Sequence, residues 1–535
     1  MKHRIGCTCP APESYPTRLS LQSNWENYSS TTCICADQKV THLPQLHGGY
    51  NKYFVHGSCV HNVVNALYGR VGSCVPSPSA HGLSLLKEMA LHLSNLIGTV
   101  TPSKYEAVIA SYSGGKRRRY QEAFRNIQLG KQPTGKIKMF VKAELIKYNG
   151  EKRNPECRAI QFRDYEYALE LARYVKPFEH KLYIACGGRF PPMPVITKGM
   201  DSAVKAALLM EKVKRLGGDI WYLALDAERF DAHVSDKLLG VEHGVMSRCF
   251  GFSKRLQKLL KKQINNKGTA RCKNGAKVKY TIRGGRNSGD MNTASGNNLL
   301  MMTMLNVFGT TYFERGNYDF VLDGDDSVFI HKGQQLPEQE IEDFFRNFGM
   351  TIKIDRYTRD LNDVDFCQAK VVKVEGFHKF VRNFRTVLPK TLTNPKFANK
   401  NIRPKLLKTI ALGELSQCYG VPVLDPFFRK MIDVADSVMS NRGKRDGGLL
   451  KPGQYLPWRL LNVLPKDWKT IRGSTIAHET RKHFSEVFDI SVRSQLQLEK
   501  RIADIRINLL EQAVERPGID VKNWLYDWMP LEIVP

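Results

Sequence analysis

The sequence predicts an α+β fold in which antiparallel strands are flanked by helices. Three observations carry this. Residues 318–330 read YDFVL, DGDD, SVFI: two β-prone runs around an Asp-Gly turn, a strong hairpin signal. Trp221–Leu225 is a further aromatic and apolar strand. Helical periodicity runs through HNVVNALYGR at His61–Arg70 and LSLLKEMALHLSNL at Leu83–Leu96. Beyond the hairpin, Glu338–Phe348 is an amphipathic helix with acids at its start, and Gly349 can end it in the left-handed conformation. Met350–Ile354 is a short strand. After about residue 390 the chain reads as helical with Pro punctuation, and Arg493–Glu515 reads as a long helix stopped by Pro517-Gly518.

Length and composition bound the rest. The chain has 535 residues, which allows two to four lobes at roughly 100–200 residues each. With 42% hydrophobic and 25% charged residues it is globular rather than disordered. Its 81 Lys and Arg against 52 Asp and Glu leave +29, which points to a polyanionic partner: nucleic acid most simply, an acidic membrane surface less simply. No run of about 18 apolar residues predicts a transmembrane helix. The N-terminus lacks the apolar stretch of a signal peptide, so the twelve cysteines read as mostly reduced thiols of a cytosolic protein.

Cys7, Cys9, Cys33 and Cys35, with His42 and His47, allow a small zinc site. Their C-x-C spacing is not the usual C-x₂-C, so free thiols are the simpler reading. Basic residues are concentrated elsewhere. Lys104–Arg158 holds 14 basic and 5 acidic residues, and Ser253–Lys279 holds 10 basic and none acidic. Lys116, Arg117, Arg118 and Arg119 follow a Ser-Gly-Gly turn; they form either a solvated helix start or an edge that contacts phosphates.

The candidate chemistry lies between these basic stretches. Asp226 ends an apolar strand in LALDAERFDAHVS, and Asp231 follows it. Asp325 and Asp326 occupy the hairpin tip. Two consecutive carboxylates repel unless a cation neutralises them, and Mg²⁺ suits a few carboxylates plus substrate phosphates. Asp226 and Asp325 facing each other across neighbouring strands can hold two Mg²⁺ ions about 3.5–4 Å apart, although Asp-Gly-Asp-Asp is by itself also an ordinary polar turn. Residues 284–298, GGRNSGDMNTASGNN, offer a mobile loop at Ser288-Gly289, then a helix with Thr293 and Asn297 on one face. Asn297 can donate and accept, which suits a ribose hydroxyl. Lys142 in FVKAE and Arg158 in RAIQ are cations suited to a triphosphate.

Taken in order, FVKAE, RAIQFRD, ALDAERFDAHVS, GGRNSGDMNTASGN, GDD, DFCQAKVV and GVPVL resemble the RNA-dependent RNA polymerases of positive-strand RNA viruses, in particular the tombusvirus-like group with its carmovirus, dianthovirus and umbravirus relatives. The resemblance covers residues 55–430 or so. It implies a closed right hand of fingers, palm and thumb: a leader over 1–55, fingers over 56–220, a palm over 221–390 with a basic fingers insertion near 253–285, and a thumb with C-terminal helices over 391–535. It implies that Asp226 and Asp325 ligate two Mg²⁺ ions, with Mn²⁺ able to substitute, and that Asp326 supports them. Asp231 and Asn297 match the pair that recognises the 2′-hydroxyl. Ser288, Gly289 and Thr293 match the loop and helix holding the template–nucleotide pair; Lys142 and Arg158 match the triphosphate contact. Phe366-Cys367-Gln368 resembles a primer-grip hairpin, and Lys353 is the nearest match to a general acid.

The implied partners are template and product RNA, nucleoside triphosphates, and a membrane-anchored viral replication protein. Through that protein the chain would reach host membranes, placing it in the host cytoplasm at membrane-associated replication complexes. No such anchor is expected within these residues, so the chain is either a downstream portion of a longer product or reaches membranes through such a partner. A reverse transcriptase shares the carboxylates but is disfavoured by the Asp231–Asn297 pair. An inactive RNA-binding scaffold would need a defect in a carboxylate set that is complete.

Overall fold

The computed structural model describes residues 19–21, 41–42, 53–147, 156–185, 193–272, 275–391, 393–394, 402–440 and 476–505. Cys7, Cys9, Cys33, Cys35 and His47, and the side chain of His42, lie outside the described residues.

The centre is a four-stranded antiparallel sheet in the order Tyr318–Asp323, Asp326–His331, Trp221–Ala227, Ile352–Thr358. The expected hairpin forms with a two-residue turn, Gly324-Asp325, and Gly324 takes the positive φ of 81° that this tight loop requires. The strands read as nearly continuous apolar runs because both faces are covered. Leu223, Leu225, Phe320, Leu322 and Phe329 point into one core with helices Ala80–Ile97, Tyr165–Ile184, Asp236–Cys249 and Thr293–Tyr312. Tyr222, Ala224, Val321, Val328 and Ile330 point the other way, onto helix Ser202–Leu216 and onto Phe366, Val371 and Phe380. Helix Glu338–Arg346 packs Ile341 and Phe345 into the first core, and Gly349 follows it at φ 75°.

A second sheet has the order Leu19–Leu21, Lys277–Arg283, Asn265–Arg271, Ile137–Val141, Ala159–Arg163. Its strands alternate buried and exposed residues, as a sheet with one wet face must. The segment expected as a leader supplies its edge strand, Leu19–Leu21. A third core gathers helices Arg403–Cys418, Leu424–Ser440, His478–Phe488 and Val492–Ala503 with strands Ala369–Val374 and Phe377–Arg382. The helix expected over 493–515 ends at Ala503, where Asp504 and Ile505 turn back onto the Lys500 and Ile502 carbonyls; residues beyond 505 lie outside the described residues. Among the described residues no helix is long and apolar enough to cross a membrane.

Candidate active site

Strand register builds the site. Asp326 pairs directly with Asp226, Asp323 pairs with Asp326, and Lys353 pairs with Asp226. Directly opposed residues share a face. One row at one end of the sheet therefore carries Asp323, Asp326, Asp226 and Lys353. The residue opposite Asp226 is Asp326 rather than Asp325, which sits in the turn between the strands. Asp226 and Asp326 of this row open into a cavity of about 960 Å³, lined also by Asp355, Arg356, Arg382 and Glu414. Cys367 also lines it, from a turn in which Cys367 and Gln368 both hold positive φ, 54° and 61°.

The carboxylates strain against each other. Burial raises the pKa of Asp226, and Asp355 adds to it while Lys353 opposes. Burial raises Asp325 too, with Asp231 and Asp226 adding, while its backbone hydrogen bond and Arg158 pull it down. Asp326 is pushed up to about 6 by burial and by Asp325 and Asp226. Asp323 is the exception: burial would raise it, but Lys205 at 2.7 Å and Lys198 at 3.0 Å hold it below its ordinary value.

Hard oxygen donors that repel one another suit a divalent cation such as Mg²⁺. Among the described residues no three His, Cys, Asp or Glu side chains already converge as a cage. A divalent cation held by carboxylates alone would complete its shell with phosphate oxygens and water. A carboxyl raised from 3.8 to about 6 stabilises the metal-free fold at low pH and loses that contribution as pH rises through 6. Mg²⁺ is accordingly expected to raise Tm more at about pH 7.5 than at about pH 5, read by thermal unfolding. An equal or larger shift at the lower pH would contradict the carboxylate site.

A polar cluster lies beside the row. Asn297 Nδ2 donates to Asp231 Oδ1 at 3.0 Å, and Ser288 Oγ donates to Asp231 Oδ2 at 2.6 Å. Asp231, Ser288 and Asn297 thus meet. Thr293 Oγ1 is spent on the loop itself, 2.8 Å from the Asn287 carbonyl and 2.9 Å from that of Asp290. Gly289 lies against strand Ala159–Arg163, where a Cβ would come 2.4 Å from the Gln161 carbonyl oxygen.

Lys142 and Arg158 share one partner, Glu144, at 3.4 and 3.5 Å, and the Arg158 charge reaches Asp325. Of the two cations predicted for the triphosphate, Arg158 thus acts on the carboxylates through its charge, while Lys142 is engaged with Glu144. Lys353 is paired with Asp355, the residue displaced by a bulge between Ile354 and Arg356, and this contact raises the pKa of its ammonium. Lys116, Arg117, Arg118 and Arg119 are exposed on helix Gly114–Gln128 and are not drawn into the cluster. Lys116 stands 4.4 Å from the Tyr112 ring, and Arg119 Nη1 donates to the Tyr165 hydroxyl at 2.7 Å.

Several residues that hold this site were not singled out in the sequence. Asn298, fully buried, accepts the Gly324 N–H at 2.9 Å and so ties the turn to helix Thr293–Tyr312. Its signal was an Asn-Asn pair entering an apolar run. Asn298→Ala leaves the turn amide unpaired and is expected to cost about 1–3 kcal/mol in denaturant unfolding; a cost near zero would show that the turn holds itself. Arg163 and Asp290 form a buried pair at 2.7 Å, and Arg286 and Glu242 form another. Glu242 was visible as a carboxylate among the apolar positions of DKLLGVEHGVM.

A family model described as viral RNA dependent RNA polymerase matches residues 24–509, nearly the whole chain, and the chain belongs to that family. Its relatives include proteins named RNA-directed RNA polymerase from plant viruses. That of Oat chlorotic stunt virus (isolate United Kingdom) is 29% identical over 455 residues, covering 83% of this chain and 59% of the relative. Those of Tomato bushy stunt virus (strain Cherry) and Groundnut rosette virus (strain MC1) are 29% and 30% identical, covering 87% and 86% of this chain and 56% and 54% of the relatives. The chain thus spans a little over half the length of these relatives.

Proposed function

We propose that this chain is an RNA-directed RNA polymerase that copies single-stranded RNA from nucleoside triphosphates to replicate a positive-strand genome. The observation that carries this is the placing of Asp226 and Asp326 opposite each other in register, with Asp325 in the adjoining turn and the Asp231–Asn297 pair alongside. In this reading the four-stranded sheet is the palm, the basic second sheet with its neighbouring helices belongs to the fingers, and the C-terminal helices form the thumb.

Asp226 and Asp325 would ligate Mg²⁺, or Mn²⁺ in its place, with Asp326 in support; two such ions activate a 3′-hydroxyl and stabilise the leaving pyrophosphate. The protein's own groups do the rest. Lys142 and Arg158 neutralise the triphosphate from the strand ends. Asp231 and Asn297 take the ribose 2′-hydroxyl. Ser288, Gly289 and Thr293 shape the loop beneath the template–nucleotide pair. Lys353, whose ammonium Asp355 keeps protonated, would give a proton to pyrophosphate. Lys116, Arg117, Arg118 and Arg119 offer exposed charge to an RNA backbone. The chain would work in the host cytoplasm at membrane-associated replication complexes, reached through a membrane-anchored viral replication protein.

The test is sugar and template choice. On an RNA template the protein is expected to use NTPs strongly in preference to dNTPs. Equal use of the two would favour a reverse transcriptase instead.

A further inference from the structure

We propose that Arg286, anchored by Glu242, sets the orientation of the Asn297 amide and is thereby a positioning residue for selection of the ribose 2′-hydroxyl. This rests on the polymerase reading above. Arg286 touches both members of the sugar-facing pair. Its backbone N–H donates to the Asp231 carbonyl at 2.8 Å, and its Nε donates to Asn297 Oδ1 at 2.9 Å. Its Nη2 pairs with Glu242 Oε2 at 2.5 Å, and both of these side chains are 1% exposed.

The orientation follows from donor chemistry. A guanidinium has only donors, whereas a carboxamide has one donating and one accepting end. Arg286 Nε therefore claims the oxygen of Asn297 and turns its NH₂ toward Asp231, 3.0 Å away. An ionised Asp231 can only accept. A 2′-hydroxyl placed between the two donates to Asp231 and accepts from Asn297, and a 2′-deoxyribose does neither. When the hydroxyl takes up Asp231, Arg286 still keeps the amide presenting its donor.

The anchor is built deep. Glu242 Oε1 accepts from Asn292 Nδ2 at 2.6 Å, and Asn292 Oδ1 accepts from Gln263 Nε2 at 2.8 Å. Helix Thr293–Tyr312 makes room for the pair with Gly296, where a Cβ would come 2.4 Å from Arg286 Nη2 and 2.7 Å from Glu242 Cδ. A glycine inside a helix costs roughly 1 kcal/mol against alanine, so the gap has a use that offsets it. A pair that served packing alone could give way to apolar side chains at little loss. Its removal would then affect every nucleotide alike.

The experiment is single-nucleotide incorporation by the full chain on an RNA primer–template, comparing kcat/KM for an NTP, its 2′-deoxy analogue and its 3′-deoxy analogue. Arg286→Met is expected to lower the preference for NTP over 2′-dNTP roughly tenfold, through kcat/KM for the NTP. The preference over the 3′-deoxy analogue should not move. Combining Arg286→Met with Asn297→Ala should add nothing to the loss of selectivity.

Arg286→Met leaves Glu242 buried and uncompensated and can fail to fold. Two further variants therefore carry the same test. Glu242→Gln/Arg286→Met removes both charges together, and Gly296→Ala keeps every polar group while displacing the pair. Equal losses for NTP and 2′-dNTP in these variants, or additive losses with Asn297→Ala, would overturn the inference while leaving the polymerase reading in place. A wild-type chain that incorporates neither nucleotide overturns both.

Discussion

Asp325→Asn and Asp226→Asn are each expected to lower RNA synthesis at least about 10³-fold, with RNA affinity changed by less than about twofold. The asymmetry follows from where these groups lie. Each is a carboxylate kept beside another of its kind, with its pKa raised by burial and by its neighbours. Such a group opposes the fold unless a cation offsets it, which is the role proposed for both. Neutralising it takes away the cation's ligand while relieving repulsion, so the same variants should unfold at higher temperature than wild type when Mg²⁺ is absent. In the proposed reading RNA is bound by other residues, the exposed Lys116, Arg117, Arg118 and Arg119 among them. Activity of Asp325→Asn within about tenfold of wild type would remove this turn from the chemistry.

The second large effect concerns stability. Arg163→Met is expected to destabilise the chain by about 3–5 kcal/mol in denaturant unfolding. The Arg163 side chain is 1% exposed and that of Asp290 is 4% exposed, with 2.7 Å between Nε and Oδ1. The same guanidinium donates to the Gly135 carbonyl at 2.6 Å, the Lys262 carbonyl at 3.2 Å and Asn266 Oδ1 at 2.6 Å, and its carbon lies 5.1 Å from the Tyr167 ring centroid. It thus joins strand Ala159–Arg163, the segment at Lys262–Asn266 and the loop before helix Thr293–Tyr312. Removing it strands Asp290 without its cation. Arg163→Met/Asp290→Asn takes away both charges and should recover a large part of the loss. A single variant as stable as wild type, or a double variant no better than the single, would show that the pair does not hold the loop.

The sequence made the local features legible. The Asp-Gly hairpin, strand Trp221–Ala227 and helix Glu338–Arg346 each follow from propensity and period within a dozen residues. The loop and helix at 284–298 stood out because polar residues entered an apolar run, and those residues prove to be partnered with Asp231 and Gly324. Pairings between distant segments were not legible. No local signal placed strand Trp221–Ala227 between Asp326–His331 and Ile352–Thr358, and that placement is what sets Asp326, not Asp325, opposite Asp226. Arg163 carried no signal of its own within RAIQFRD, because its partner lies 127 residues away and neither is exposed. The Leu19–Leu21 edge strand was hidden for the same reason, since its sheet neighbour is Lys277–Arg283.

The role proposed for the carboxylates at the end of the four-stranded sheet is to hold the cation that drives RNA synthesis. It is tested most directly with purified protein, four NTPs, a short single-stranded RNA and a Mg²⁺ titration, with Asp325→Ala beside wild type. Template-length RNA is expected from wild type alone, rising with Mg²⁺ and abolished by chelation. Product that survives chelation, product from Asp325→Ala at the wild-type level, or none from wild type on any of several templates would contradict it.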